Sequence, residues 1–274
     1  MTNGKHRKIL DFLNDKPALS SKKIHEGLQI EMGYATVKRV LAQLVSENLL
    51  DIIGKGRGTK YQIGPGYKLF YPLNLDTYFE KEVDKRNVIE SFNLKLINDI
   101  LTKVNLFTDL ELTKLESLQQ KYTSNISELS VNAYNKELER LAIDLSWKSS
   151  QMEGNTYSLL ETERLLKEKE TAQGKAKDEA IMLLNHKDAL DFIIENPTYI
   201  DPLTVSRIED IHSILIKELG VDRNIRKRRV GITGTNYKPL DNEFQIKEAL
   251  NDMCSLIEKR ENVFEKALLA LSLL

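Results

Sequence analysis

The chain has 274 residues, 41% apolar and 30% charged, with a formal net charge of −1. That length suits a small module followed by a larger one, with ample apolar residues for a core. There is no run of about 18 apolar residues, no signal-peptide stretch and only one cysteine, Cys254. No membrane span, secretory leader or disulfide framework is therefore expected, and a reducing cytoplasm is.

The near-neutral total hides an asymmetry. Residues 1–66 carry eleven Lys/Arg against six Asp/Glu, a balance of +5 that leaves −6 for the remainder. A basic head on an acidic body points to a polyanion as the partner of the head. Within it, residues 6–14 predict a helix with Ile9, Leu10 and Leu13 on one face, stopped by Pro17. Ser20 or Ser21 caps a second helix carrying Ile24 and Leu28. Tyr34–Glu47 places Val37, Val40, Leu41, Leu44 and Val45 at helical spacing. Two short strands, Leu49–Ile53 and Lys60–Ile63, follow around Gly54-Lys-Gly-Arg-Gly58.

Three short helices and a Gly/Lys/Arg-tipped hairpin describe a winged helix-turn-helix, and Gly56–Ile63 resembles the wing of many bacterial regulators. The third helix would expose Tyr34, Thr36, Lys38, Arg39 and Gln43 to phosphates and base edges in a major groove. Arg57 and Lys60 sit where a wing reaches backbone or minor groove. DNA is the expected partner; a protein-docking winged helix is the alternative. Gly64-Pro-Gly-Tyr67 marks the exit, giving a first domain at 1–66 and a second at 67–274.

The second domain reads as helical almost throughout, near 80–104, 109–122, 132–152, 158–170, 175–195, 203–219, 243–259 and 262–274. In the long 80–104 helix the apolar face would be Val83, Val88, Phe92, Leu96 and Ile100. Asp109 would cap the next, with Leu110, Leu112 and Leu115 behind it. One stretch, Arg228–Asn242, alternates around β-branched residues and predicts a hairpin laid against helices. Such a hairpin either fills a gap between helices or offers its edge to another chain as an added strand.

Three elements, in order, give residues 75–274 a resemblance to the Fic (Fic/Doc) family. Ser149-Ser-Gln-Met-Glu153-Gly154-Asn155, followed by Leu159–Leu166, resembles the family's inhibitory helix and the helix after it. Leu203–Leu219 resembles the helix before the flap. Val230–Asn242 resembles the flap that aligns a target segment, which implies target-binding roles for Val230, Gly231, Ile232, Thr233, Gly234, Thr235, Asn236 and Tyr237. The fold class expected is mainly α: a winged helix-turn-helix and then an α-helical Fic-like domain with a β-hairpin flap.

Members of that family transfer AMP from ATP, with Mg²⁺, to a hydroxyl of a target protein. They use a loop of pattern His-Pro-Phe-x-x-Gly-Asn-Gly-Arg, which these 274 residues do not contain. His6 and His25 lie in the first domain, and His186 and His212 lie mid-helix without a Pro-Phe neighbour, so no catalytic residue is assigned. The chain ends instead on the nearly all-apolar Phe264–Leu274. That ending is expected of an incomplete piece of a longer protein, or else of a catalytically silent one.

The resemblance implies that Glu153 pairs with an arginine of the missing loop and withholds it from the nucleotide's terminal phosphate. Ser149 would fix the helix, and Gly154 and Asn155 would close it. Read from residues alone, Gly154-Asn155 is an ordinary helix stop and Glu153 a solvated carboxylate. The function expected is a self-inhibited protein adenylyltransferase, in its complete form, with a DNA-binding module. ATP and Mg²⁺ would be its cofactors in that form, and a target protein, DNA and possible further copies of the chain its partners. The alternative is a DNA-binding regulator whose helical body dimerises or senses an effector.

Overall fold

The structure, a computed structural model, describes residues 4–28, 32–70, 74–86, 90–222, 225–232 and 235–274. It is mainly α, with one two-stranded sheet among the described residues. The chain forms two compact units: Met1–Leu112 with Gly231–Pro239, and Thr113–Val230 with Leu240–Leu274.

The first unit opens with α1 (Gly4–Leu13), which buries Ile9, Leu10 and Leu13. In α2 (Ser21–Gly27) the cap is Ser20, whose hydroxyl accepts from the Lys23 amide, satisfying one of the donors a helix start leaves open. Helix α3 (Tyr34–Ser46) buries Val37, Val40, Leu41 and Leu44, the apolar stripe its 3.6-residue period dictates. Strands β1 (Leu50–Ile53) and β2 (Lys60–Ile63) pair antiparallel, from Leu50 opposite Ile63 to Ile53 opposite Lys60. Leu19 and Tyr61 exchange both backbone hydrogen bonds, at 2.9 and 2.7 Å, which ties the segment before α2 to the hairpin. One core joins these elements. Burial of each of its Leu and Ile side chains contributes roughly 1.5–3 kcal/mol against the entropy of ordering.

At the hairpin tip Gly54 has φ +79°, and a Cβ there would stand 2.7 Å from the Gly58 carbonyl oxygen. Glycine is required at this position twice over, by conformation and by space.

Beyond the hairpin come α4 (Tyr67–Phe70) and α5 (Leu75–Phe79), both short. The long helix expected over 80–104 is absent from the described residues. In its place stand a 3₁₀ turn at Val83–Lys85 and a π-helical stretch at Leu96–Leu101. The buried residues are Ile97, Leu101 and Val104, not the face of Leu96 and Ile100. Val88 of the expected face lies outside the described residues, and Val83, Phe92, Leu96 and Ile100 are half-buried. Helix α6 (Asp109–Ser127) starts one residue earlier than a cap at Asp109 would allow. Thr108 is the cap, its hydroxyl accepting from the Glu111 amide while the Glu111 carboxylate accepts from the Thr108 amide at 2.8 Å. That reciprocal pair is a capping box. No residue of α6 is buried, and Leu110 is exposed instead of packed.

The second unit continues with α7 (Val131–Met152), α8 (Leu159–Glu168), α9 (Lys177–Glu195), α10 (Val205–Leu215), α11 (Glu243–Glu258) and α12 (Val263–Leu273). Helix α7 packs on α8 and α9, α9 on α10, α10 on α11 and α11 on α12. Side-chain caps at Ser130, Ser158, Thr204, Asn242 and Asn262 explain why the helices start where they do. Leu165, Ala180, Leu183 and Tyr157 form one buried cluster. Met253, Cys254, Leu256 and Ile257 bury the inner face of α11. The Cys254 thiol is core packing, and burial pushes its pKa up. The buried Asn185 amide donates to the carbonyls of Leu215 (3.0 Å) and Lys217 (2.7 Å), satisfying the open end of α10.

The predicted hairpin over Arg228–Asn242 has no strand among its described residues. Val230 and Ile232 are about half exposed, so the alternation supplies no apolar face to bury, and Pro239 lacks an amide for a ladder. A side-chain clasp gathers the base of the loop instead. Arg229 pairs with Asp241 at 2.7 Å, Lys227 with Glu243 at 3.6 Å, and Arg226 donates to the Leu240 carbonyl.

No helix among the described residues is long and apolar enough to cross a membrane.

Candidate functional site

Two groups of residues singled out by the sequence lie one in each unit, and a third is divided between them. In the first unit, the amphipathic phase of α3 that buries Val37, Val40, Leu41 and Leu44 turns Lys38, Arg39 and Gln43 outward. Lys38 and Arg39 are exposed cations on adjacent positions. Gln43 donates to the Glu47 carboxylate at 2.9 Å, and Thr36 is half-buried.

Tyr34 begins the same helix with its ring exposed, yet its hydroxyl stands 2.9 Å from Ser21 Oγ and its ring meets His25 edge-on at 5.5 Å. His25 Nε2 in turn lies 2.9 Å from the Met32 carbonyl. Tyr34 therefore braces α3 against α2 as well as presenting a ring, with the Lys38 ammonium 5.9 Å above it. Arg57 and Lys60 are exposed at the hairpin tip and the start of β2, as are Ile52 and Ile53 on the same hairpin.

In the second unit, Ser149–Asn155 forms the end of α7. Glu153 is the last half-helical residue, and Gly154 follows at φ +91°. The Gly154 amide donates to the Gln151 carbonyl at 3.1 Å and the Asn155 amide to the Ser150 carbonyl at 2.9 Å. That pair of bonds is a Schellman stop, and its left-handed position is why glycine stands at 154. Asn155 is buried. Its side-chain amide donates to the Glu179 carbonyl at 2.8 Å, and its side-chain oxygen accepts from the Tyr157 amide at 3.0 Å. Next along, the Glu179 carboxylate accepts from the amide and the hydroxyl of Thr156, each at 3.1 Å.

Ser149 is half-buried, whereas Ser146 and Ser150 are fully buried with hydroxyls that find no partner. Their small size lets α7 approach its neighbours closely. The Glu153 carboxylate is exposed, and its field acts on His186 of α9. Burial holds the His186 pKa below the ordinary 6.5, with Glu153 opposing that shift.

Of the expected flap residues, Thr233 and Gly234 lie outside the described residues and Val230 belongs to the second unit. Gly231, Ile232, Thr235, Asn236 and Tyr237 belong to the first unit, where they line an open cavity of about 550 Å³ with Glu90 and Lys238. The Lys238 amide donates to the Glu90 carbonyl, and its ammonium lies 3.0 Å from the Glu90 carboxylate. Chain 90–91 thus runs beside 238 as a single parallel bridge.

Sequence reading missed His186, Glu179 and the Ser21–Tyr34 link. Each acts through a partner far along the chain, and no spacing motif encodes it. Among the described residues no three His, Cys, Asp or Glu side chains converge to hold a metal ion. No protein-family model, no curated protein and no solved structure matches this chain.

Proposed function

We propose that the first unit binds double-stranded DNA as a winged helix-turn-helix. The observation that carries this reading is α3, whose apolar stripe is buried while Lys38 and Arg39 face outward beside the Tyr34 ring. A helix presenting cations and an amide side chain on one face suits a major groove, and Arg57 on the hairpin suits the flanking backbone. Fluorescence anisotropy of a labelled duplex against the 274-residue protein tests it. The affinity is expected to fall linearly in log[salt] and to weaken about tenfold or more when Lys38 and Arg39 are both replaced by Ala. Weak binding that ignores salt would overturn the reading.

The helical body is proposed to be of the Fic type, with Glu153 as its brake, and residues 230–237 are proposed as the target-binding flap. What supports this is the Ser149–Asn155 segment, where the Schellman stop leaves the Glu153 carboxylate exposed at the end of α7. An exposed carboxylate held at a fixed helix end is placed to pair with an arginine of another segment. In a protein where the family's histidine loop follows these residues, Glu153→Gly raises ATP-dependent labelling of a target. Equal labelling with and without Glu153 would remove the brake, and no labelling in either form would favour a DNA-binding regulator whose body has no transferase role.

A further inference from the structure

Two pieces of chain that belong to no helix and no regular strand meet in the first unit. Ser91 bridges Lys238 in parallel, and the neighbouring Glu90 is 148 positions from Lys238 along the chain. The Lys238 amide donates to the Glu90 carbonyl at 2.6 Å, and the Lys238 ammonium lies 3.0 Å from the Glu90 carboxylate. Both side chains are largely in water, Lys238 at 76% and Glu90 at 61% exposure. One hydrogen bond and one exposed ion pair of this kind favour the seated over the released segment by only about tenfold. The seat is specific, and it is easily left.

Residues 90–91 are seated against the segment proposed as the flap. Glu90 stands in the wall of the 550 Å³ cavity together with Gly231, Ile232, Thr235, Asn236 and Tyr237. Extended backbone outside a ladder recruits another segment through main-chain hydrogen bonds, and side chains beside it select which segment. The segment already recruited comes from the same chain, and its acidic residue meets Lys238.

We propose that Glu90-Ser91 is a cis occupant of the flap edge, a latch that an incoming target segment displaces. Lys238 then selects targets with a carboxylate at the position that Glu90 holds. This rests on the reading of residues 230–237 as a target-binding flap. Occupation in cis weakens the apparent affinity for a competing segment in proportion to the fraction of molecules whose edge is open.

The 274-residue protein and a fluorescein-labelled peptide copying residues 86–96, with no nucleotide present, test this. Anisotropy reads peptide binding, and hydrogen exchange reads the Lys238 amide. Glu90→Lys is expected to quicken exchange of that amide and to tighten peptide binding about threefold or more, because it releases the latch. Adding the peptide to this variant should slow the amide again. Lys238→Glu is expected to weaken binding, and a peptide with Lys in place of Glu90 to recover it. Both residues are exposed, so an unchanged thermal melt separates a released latch from lost folding. Equal peptide binding by the wild type and Glu90→Lys would overturn the latch and leave the flap reading standing. Binding by neither would overturn the flap reading, and the latch with it.

Discussion

The side-chain amide of Asn155 donates to the main-chain carbonyl of Glu179, 2.8 Å away, and so fastens the stop of α7 to the first turn of α9. Asn155 also accepts from the Tyr157 amide, and it is only 7% exposed. Replacing it with Ala leaves the part-buried Glu179 carbonyl and the buried Tyr157 amide without these partners. Each such loss costs about 1–3 kcal/mol. Asn155→Ala is therefore expected to lower the urea midpoint by an amount equivalent to roughly 2 kcal/mol or more, with the m value unchanged. Asn155→Asp should be at least as damaging, since it sets a carboxylate against the Glu179 carbonyl.

Gly154 separates conformation from packing. Its φ is +91°, and a Cβ there would meet nothing within 4 Å. Gly154→Ala is expected to cost about 1 kcal/mol, all of it backbone strain, and Gly154→Asn should cost less because Asn tolerates the left-handed region. Equal unfolding free energies for the wild type and Gly154→Ala would show that α7 ends differently.

At the hairpin tip both terms act together. Gly54→Ala combines φ +79° with a 2.7 Å approach to the Gly58 carbonyl. The expected loss exceeds that of Gly154→Ala, and amide exchange should quicken in β1 and β2 first. Since the same tip carries Arg57, the proposed DNA affinity should drop with it while α1–α3 stay folded.

His186 gives a pH handle on the second unit. Burial lowers its pKa in the folded state from the ordinary 6.5, and Glu153 partly restores it. Above about 6.5 the ring is neutral both folded and unfolded, so it contributes no pH dependence there. As pH falls below that value the unfolded chain takes up the proton first, and folding stability declines until the folded pKa is passed. His186→Gln is expected to flatten this acid-side decline. Glu153→Gln should move the His186 titration, followed by NMR, to still lower pH; an upward move would mean that the two groups do not face each other.

Much of the helical body was legible because its boundaries are local chemistry. Ser130, Ser158, Asn242 and Asn262 each accept from an amide two or three residues on, and the apolar period begins immediately after them. The first unit was legible for the same reason, with its stripe in α3 and glycines at the tip of the hairpin.

Two segments were not. Over 80–104 the apolar spacing fits one helix, but the described residues form separate short turns and burial falls on Ile97, Leu101 and Val104. Over 228–242 the alternation of Val230 and Ile232 promised a strand, but a strand needs a partner edge. The ion pairs of Arg229 and Lys227 close the loop without one. For the candidate site, the outward placement of Lys38 and Arg39 and the helix stop at Glu153-Gly154 were legible. The anchors of that stop were not, because Glu179 and His186 become neighbours only after α9 has folded back along α7.

The clasp formed by Arg226, Lys227 and Arg229 with Leu240, Glu243 and Asp241 has a practical side. Loop-closure entropy grows only logarithmically with length, and the clasp gathers the two chain ends from outside the loop. An epitope or a fluorophore-binding peptide spliced into the segment between them should therefore cost the second unit little, though it would interrupt the proposed flap. A tag inserted after Gly231, where a side chain would meet nothing within 4 Å, should leave the thermal melt of the second unit where it was.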